Sequence, residues 1–210
     1  TITHENVDLN TVEPDAEAAA YIQTITDKFD ALQKQVVAKT SVELTINGAD
    51  GKRAVRNAET NLGDLCADAY RILLGADIAF VNGGGVRDNI KVGDITYGDI
   101  IKVHPFGNEA CLVEITGQQI KDALELGSAA YPGESGGFLQ VSGLTYTINA
   151  DIPSSVVKND KSEFVKVDGA YRVSDIMVGG QPLDVSKTYT LASHNYMLKD
   201  AGDGYTMFGT

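Results

Sequence analysis

Apolar residues recur at Ile22, Ile25, Phe29, Leu32 and Val36, at gaps of three, four, three and four. That spacing is one stripe on a helix of about 24 residues. Pro14 sits where such a helix can start, because its missing N–H and fixed φ suit the first helical position. The pattern predicts a linker or strut packed on the body of the protein. Residues 1 to 13 show no clear period and read as a connecting segment. Past the stripe the period falls to two: Val42, Leu44 and Ile46 alternate as in a half-buried strand and end on turn chemistry at Asn47-Gly48-Ala49-Asp50-Gly51. Leu62, Leu65, Cys66, Ala69, Ile72 and Leu73 share a second helical face, with Thr60 or Asn61 available as N-cap. The unbroken run Ile78-Ala79-Phe80-Val81 suits a buried strand. A short helix from about Thr96, a strand from Cys111 to Ile115 and a helix from Gln118 to Leu126 follow. The remainder is mostly extended: Phe138 to Ile148, Tyr171 to Val178 as far as Gly179-Gly180, and Tyr189 to Ala192. Helices come early and strands late, which predicts an α+β fold with a mixed sheet and packed helices behind the long first helix.

Length and charge narrow the function. A chain of 210 residues holds one full core plus an appendage, or two small domains. Its net charge of -12 repels polyphosphate chains and anionic lipid, so nucleic acid and acidic membranes are poor partners. A single small anion needs only two or three local cations. No apolar run approaches the ~18 residues of a membrane helix, so no transmembrane segment is expected. Cys66 and Cys111 are too few for a disulfide framework and lie among apolar neighbours, which predicts buried free thiols. The chain begins at Thr1 with no basic n-region or apolar h-region, and reads as a portion of a longer polypeptide with any export signal upstream.

Candidate chemistry begins directly after the apolar run. Gly83, Gly84 and Gly85 carry no Cβ, so the chain there can take φ > 0 and let a ligand approach the backbone. Arg87, two positions on, offers a planar fork of donors to an oxyanion or hydroxyls. The bland alternative is a surface turn with a solvated arginine. Gly133-Glu134-Ser135-Gly136-Gly137 matches the hydrolase elbow G-x-S-x-G, but Tyr131-Pro132 precedes it and strand-like Phe138-Leu139-Gln140-Val141 follows, where the elbow needs a strand and then a helix. Gly83 to Asp88 fails the dinucleotide fingerprint at its last position, and Gly48 to Lys52 lacks P-loop spacing. His4, His104 and His194 are scattered singly, without metal-ligand spacing. Phe106 in Pro105-Phe106-Gly107-Asn108 and Tyr196 just after the last strand are placed to project from loops, where two rings can sandwich a planar base. Both rings in the core is the competing reading.

Six segments, in order, resemble the C-terminal domain of the 5′-nucleotidase family, which includes UDP-sugar hydrolases and 2′,3′-cyclic-nucleotide phosphodiesterases. They are Glu59 to Leu65, Asn82 to Arg87, Gly93 to Tyr97, Pro105 to Asn108, Gly137 to Gly143 and Ala201 to Tyr205, within residues 40 to 210. The resemblance implies a division at about residue 38, with residues 1 to 38 the end of a preceding domain and a connecting helix, and residues 39 to 210 the substrate-binding domain. It implies no cofactor in this chain. Two divalent metal ions and the catalytic residues would belong to an N-terminal calcineurin-like phosphatase domain of the same extracellular or periplasmic polypeptide. By resemblance, Phe106 and Tyr196 clamp the base and Asn82 contacts it. Gly84 lies on the glycine turn, Arg56 and Arg87 donate to the ribose or phosphate portion, and Asp203 accepts from ribose hydroxyls. Tyrosine at 196, where relatives often have phenylalanine, keeps the π-face, so exchange for phenylalanine is expected to change little. Asp64 stands where some relatives place a basic or neutral residue, so an extra phosphate contact from that position is not carried over by the resemblance. The rival reading is a stand-alone nucleotide-binding or cell-surface module without catalysis, and an upstream phosphatase domain would separate the two.

Overall fold

The computed structural model describes residues 4–209, so the first three residues of the expected connecting segment and Thr210 lie outside it. In chain order the elements are α1 (Ala16–Gln33), β1 (Val36–Thr40), α2 (Asn61–Leu74), β2 (Ile78–Asn82), β3 (Gly93–Thr96), α3 (Tyr97–Val103), β4 (Ala110–Thr116) and α4 (Gly117–Ser128). The second half holds β5 (Leu139–Ser142), β6 (Leu144–Ile148), β7 (Val156–Lys158), β8 (Phe164–Val167), β9 (Val173–Val178), β10 (Gln181–Pro182), β11 (Thr188–His194) and α5 (Asn195–Leu198).

The central sheet has the order β4-β11-β2-β5. β11 runs parallel to β2 and antiparallel to β4, and β5 is antiparallel to β2, which is the mixed sheet of an α+β fold. β2 is buried at all five positions because both faces of the sheet are covered. Its alternation divides the core: Ile78 and Phe80 pack with Ile120, Leu124 and Leu191, whereas Val81 meets Leu62, Cys66 and Ala67 of α2. Thr60 caps α2, its side chain accepting from the Gly63 N–H at 3.2 Å. A second sheet, β10-β9-β6, and two ribbons, β1-β3 and β7-β8, complete the strands.

Several expectations are corrected. α1 is 18 residues long and is capped by Asp15, which accepts from the Ala18 N–H at 2.8 Å, so Pro14 stands outside the helix. Val36 belongs to β1, paired with Thr96. The stripe Ile22, Ile25, Phe29 and Leu32 is exposed and does not pack on the body. The helix touches it at its C-terminal end, against α3, and just beyond that end the Tyr97 N–H donates to the Gln35 carbonyl at 2.9 Å. Val42, Leu44 and Ile46 form no strand; one bridge joins Leu44 to Ile90. On α2, Leu65, Ile72 and Leu73 are exposed, since the sheet covers only the side carrying Leu62, Cys66 and Ala67. Both cysteines are free, but Cys111 is only half-buried.

A candidate ligand-binding site

β2 ends at Asn82 and the chain passes at once into a 3-10 turn, Gly83–Gly85. The Gly83 N–H donates to the Phe138 carbonyl and the Gly84 N–H to the Gly136 carbonyl, both at 2.7 Å. A Cβ on Gly83 would lie 2.0 Å from the Val55 carbonyl oxygen. Close approach of neighbouring backbone, and not the positive φ expected from the sequence, is what requires glycine at this turn, whose three residues all keep negative-side backbone conformations.

Above the turn opens a cavity of about 430 Å³. Arg56, Asn82, Gly84, Phe106, Tyr196 and Asp203, six of the residues expected at a site, line it together. The seventh, Arg87, is exposed beside two of them: its guanidinium lies 5.8 Å from the Phe106 ring centroid and its Nη1 donates to the Gly84 carbonyl at 3.2 Å. Gly85 of the glycine turn lines the cavity too, and so do Asn108 and Gly136, for which the sequence suggests no role. Asn108 closes the segment Pro105 to Asn108 and could have been read there. Gly136 sits in the loop carrying the rejected G-x-S-x-G pattern, and a β-strand, β5, indeed follows that loop in place of a helix.

Tertiary pairing joins distant parts of the chain here. Asn82 Nδ2 donates to Asp203 Oδ2 at 2.7 Å, while the Tyr196 hydroxyl donates to Asp203 Oδ1 at 3.1 Å and accepts from the Asp203 N–H at 3.2 Å. Asn82 Oδ1 is buried without a partner, an open acceptor on a cavity-lining residue. The two rings are mounted differently. Tyr196 lies on the short helix α5, not on a loop, and is 37% exposed; the His194 imidazole stacks near it with centroids 6.1 Å apart. A Cβ on Gly202 would come within 2.4 Å of the Tyr196 ring, so that glycine is imposed by the ring itself. Phe106 stands in the turn after α3 and is 60% exposed. Neither ring is core.

Three guanidiniums gather on this otherwise acidic protein. Burial, then the neighbouring charges of Arg53 and Arg87, hold the Arg56 guanidinium below the ordinary arginine range, and its buried Nε has no partner. Arg53 is engaged by Glu134, Nε to Oε1 at 3.2 Å. Burial, and secondarily the Asp203 carboxylate, push the Tyr196 hydroxyl upward, so it remains a proton donor at neutral pH. Asp64 faces a separate cavity with Glu59, where burial and Glu59 push its carboxyl up to about 6.

Burial pushes His194 down to about 4, with His104 adding to the effect. An imidazole with an ordinary value of 6.5 when unfolded takes up its proton less readily when folded, so stability is full above about 6.5 and falls as pH drops towards 4. At about 1.4 kcal/mol per pKa unit the loss reaches at most about 3 kcal/mol. Asp64 acts in the opposite sense, since protonation below about 6 favours the folded form. Thermal unfolding of the wild type and His194→Gln between pH 7 and 4.5 should therefore give a difference that narrows with acidification; a constant difference would contradict a neutral, buried His194.

The family model described as "5'-nucleotidase, C-terminal domain" matches residues 36–210. The trifunctional nucleotide phosphoesterase protein YfkN of Bacillus subtilis is 34% identical over 206 residues, covering 93% of this chain and 13% of that protein. A 5′-nucleotidase of Vibrio cholerae is 37% identical over 156 residues, covering 73% of this chain and 24% of that protein. The crystal structure of a 5′-nucleotidase precursor from Thermus thermophilus superimposes with a TM-score of 0.73 at 34% identity, covering 91% of this chain and 35% of that one. The chain thus spans well under half the length of these relatives.

Proposed function

The chain belongs to the family of 5′-nucleotidase C-terminal domains, and from that premise we propose that residues 39 to 210 recognise a nucleotide or nucleoside phosphate for a secreted 5′-nucleotidase-like metallophosphoesterase. Residues 1 to 38 would form the end of a preceding domain and the connecting helix. One observation carries the reading: a single cavity gathers two exposed rings, a carboxylate, an amide with an open acceptor, and a guanidinium with a second one at hand.

Each group has a role that its chemistry suits. Phe106 and Tyr196 offer π-faces to a planar base, at about 1 to 3 kcal/mol per stacked base. Asn82 offers its acceptor to a base N–H. Asp203 accepts from sugar hydroxyls, and Arg56 and Arg87 offset phosphate charge. Among the described residues no group of three or more His, Cys, Asp or Glu is placed to hold a metal ion. By resemblance to the family, and not from that absence, metal-assisted hydrolysis is assigned to an N-terminal calcineurin-like domain, and this chain's part is to bind and present. No helix among the described residues is long and apolar enough to cross a membrane.

The test is a titration of the chain with a panel of nucleosides and nucleotides, together with an assay of phosphate release. Weak binding and no release are expected, because association costs absorb most of a stacking energy of this size. Absence of binding across the panel would refute the recognition role. Chelator-resistant phosphate release from a pure sample would refute the division of labour.

A further inference from the structure

Tyr196 contributes more than a ring. With its hydroxyl on Asp203 Oδ1 at 3.1 Å and Asn82 Nδ2 on Oδ2 at 2.7 Å, each carboxylate oxygen already holds one donor from the protein. An ionised carboxylate has about four lone-pair sites, so one acceptor position on each oxygen remains, on a residue that lines the cavity. Two such positions on one planar group, steadied from both sides, match two hydroxyls on adjacent carbons. The backbone is set to the same end. Asp203 sits at φ 54, a left-handed conformation that residues other than glycine seldom adopt. Its N–H is held there by the oxygen of Tyr196 at 3.2 Å. Phenylalanine at this position would stack as well and would leave both contacts unmade.

We infer that the Tyr196 hydroxyl is a positioning group that fixes the Asp203 carboxylate to receive a vicinal diol, so that this site prefers ribosides to 2′- and 3′-deoxyribosides. The inference rests on the reading of the cavity as a nucleoside site. On the ring alone, Tyr196→Phe would change little; the hydrogen bonds to Asp203 reverse that expectation. A deoxyriboside supplies one donor where two acceptor positions wait, and loses one hydrogen bond to a charged group. With Oδ1 no longer steadied, the second position ceases to discriminate.

Protein-detected NMR titration of the whole 210-residue chain reads weak binding directly. The probes are adenosine, 2′-deoxyadenosine and 3′-deoxyadenosine. The wild type should bind adenosine at least about tenfold more tightly than either deoxynucleoside. Tyr196→Phe should retain the deoxynucleoside affinities and shrink that preference by about three- to tenfold. A preference unchanged in Tyr196→Phe, or an equal loss for all three ligands, would overturn the coupling and leave the nucleoside reading standing. A wild type that binds none of the three would remove that reading and the inference with it. Asp203→Asn, which exchanges an acceptor oxygen for a donor, should abolish the preference, and a preference surviving there would overturn the inference as well.

Discussion

Replacing Arg172 by alanine should lower the folding stability of this chain by about 3 to 5 kcal/mol, the cost of stripping three backbone carbonyls of a buried charged donor. Arg172 is 4% exposed, and its Nη1 donates to the carbonyls of Ser128 at 2.9 Å, Ala129 at 3.2 Å and Tyr131 at 3.0 Å. Those carbonyls stand at and just past the end of α4, where helical geometry supplies no partner and the helix dipole favours a cation. On the other side, Glu125 is 0% exposed, and its Oε2 accepts from the N–H groups of Arg172 at 2.8 Å and Val173 at 3.1 Å. Burial already pushes the Glu125 carboxyl upward, and Arg172 is among the groups that pull it back. Removing the guanidinium strands three carbonyls and worsens the position of the carboxylate. Glu125→Gln should cost less, since an amide oxygen can still accept from both N–H groups. Urea denaturation measures both; a loss below about 1 kcal/mol for Arg172→Ala would show that the cluster does not brace the fold. The loop fastened by these bonds also carries Gly136 to the cavity, so the same variant should weaken ligand binding.

Truncating the two rings should separate affinity from stability. Tyr196→Ala is expected to weaken nucleoside binding by about 5- to 150-fold, the equivalent of 1 to 3 kcal/mol of base stacking. It should also destabilise the fold, because the ring fills the space over Gly202 and the hydroxyl makes two hydrogen bonds to Asp203. Phe106→Ala should lose affinity in the same range yet leave the unfolding midpoint nearly unchanged, since that side chain is 60% exposed and its recorded partner is Arg87. Titration and thermal unfolding of the two variants decide the matter. Equal stability losses would contradict the different mountings, and unchanged affinity in Phe106→Ala would remove that ring from the site.

What the sequence disclosed follows the range of the forces involved. β2 was legible because a strand covered on both faces reads as an unbroken apolar run, and the start of α2 because Thr60 is a local cap. The outward side of α2 was misread: a helical period tells which residues share a face, not how much of that face a sheet will cover. The same limit applies to α1, whose stripe has the right spacing and no cover on this chain. β1 escaped notice because four of its five residues are exposed, so no alternation marks it. At the site, the glycine turn directly after Asn82 announced itself locally, whereas Asn82 itself came only with the family resemblance. Asp203 lies 121 residues further on, and its meeting with Asn82 depends on β11 pairing in parallel with β2, which no local signal encodes. Only the ordered set of family-like segments pointed to Asp203 and Tyr196 together. Asn108 was within reach through the segment Pro105 to Asn108, whereas Gly136 carries no distinctive chemistry and only the folded backbone brings it to the cavity.

The glycine turn sets a limit on how this pocket could be altered by mutation, natural or designed. Obstacles to a side chain there differ in kind: at Gly83 it is the Val55 carbonyl oxygen at 2.0 Å, at Gly84 the backbone of Gly136 at 3.0 Å, and at Gly85 the Asn82 side chain at 2.7 Å. A second substitution can trim a side chain but cannot remove a main-chain atom, so changes at Gly83 have no compensating partner, and changes at Gly84 need a shift of a whole loop. Gly85 alone could be accommodated, at the expense of the amide that Asn82 presents. Variation in the cavity is therefore channelled to its other lining side chains, Phe106, Asn108 and Tyr196, while the glycine turn stays fixed.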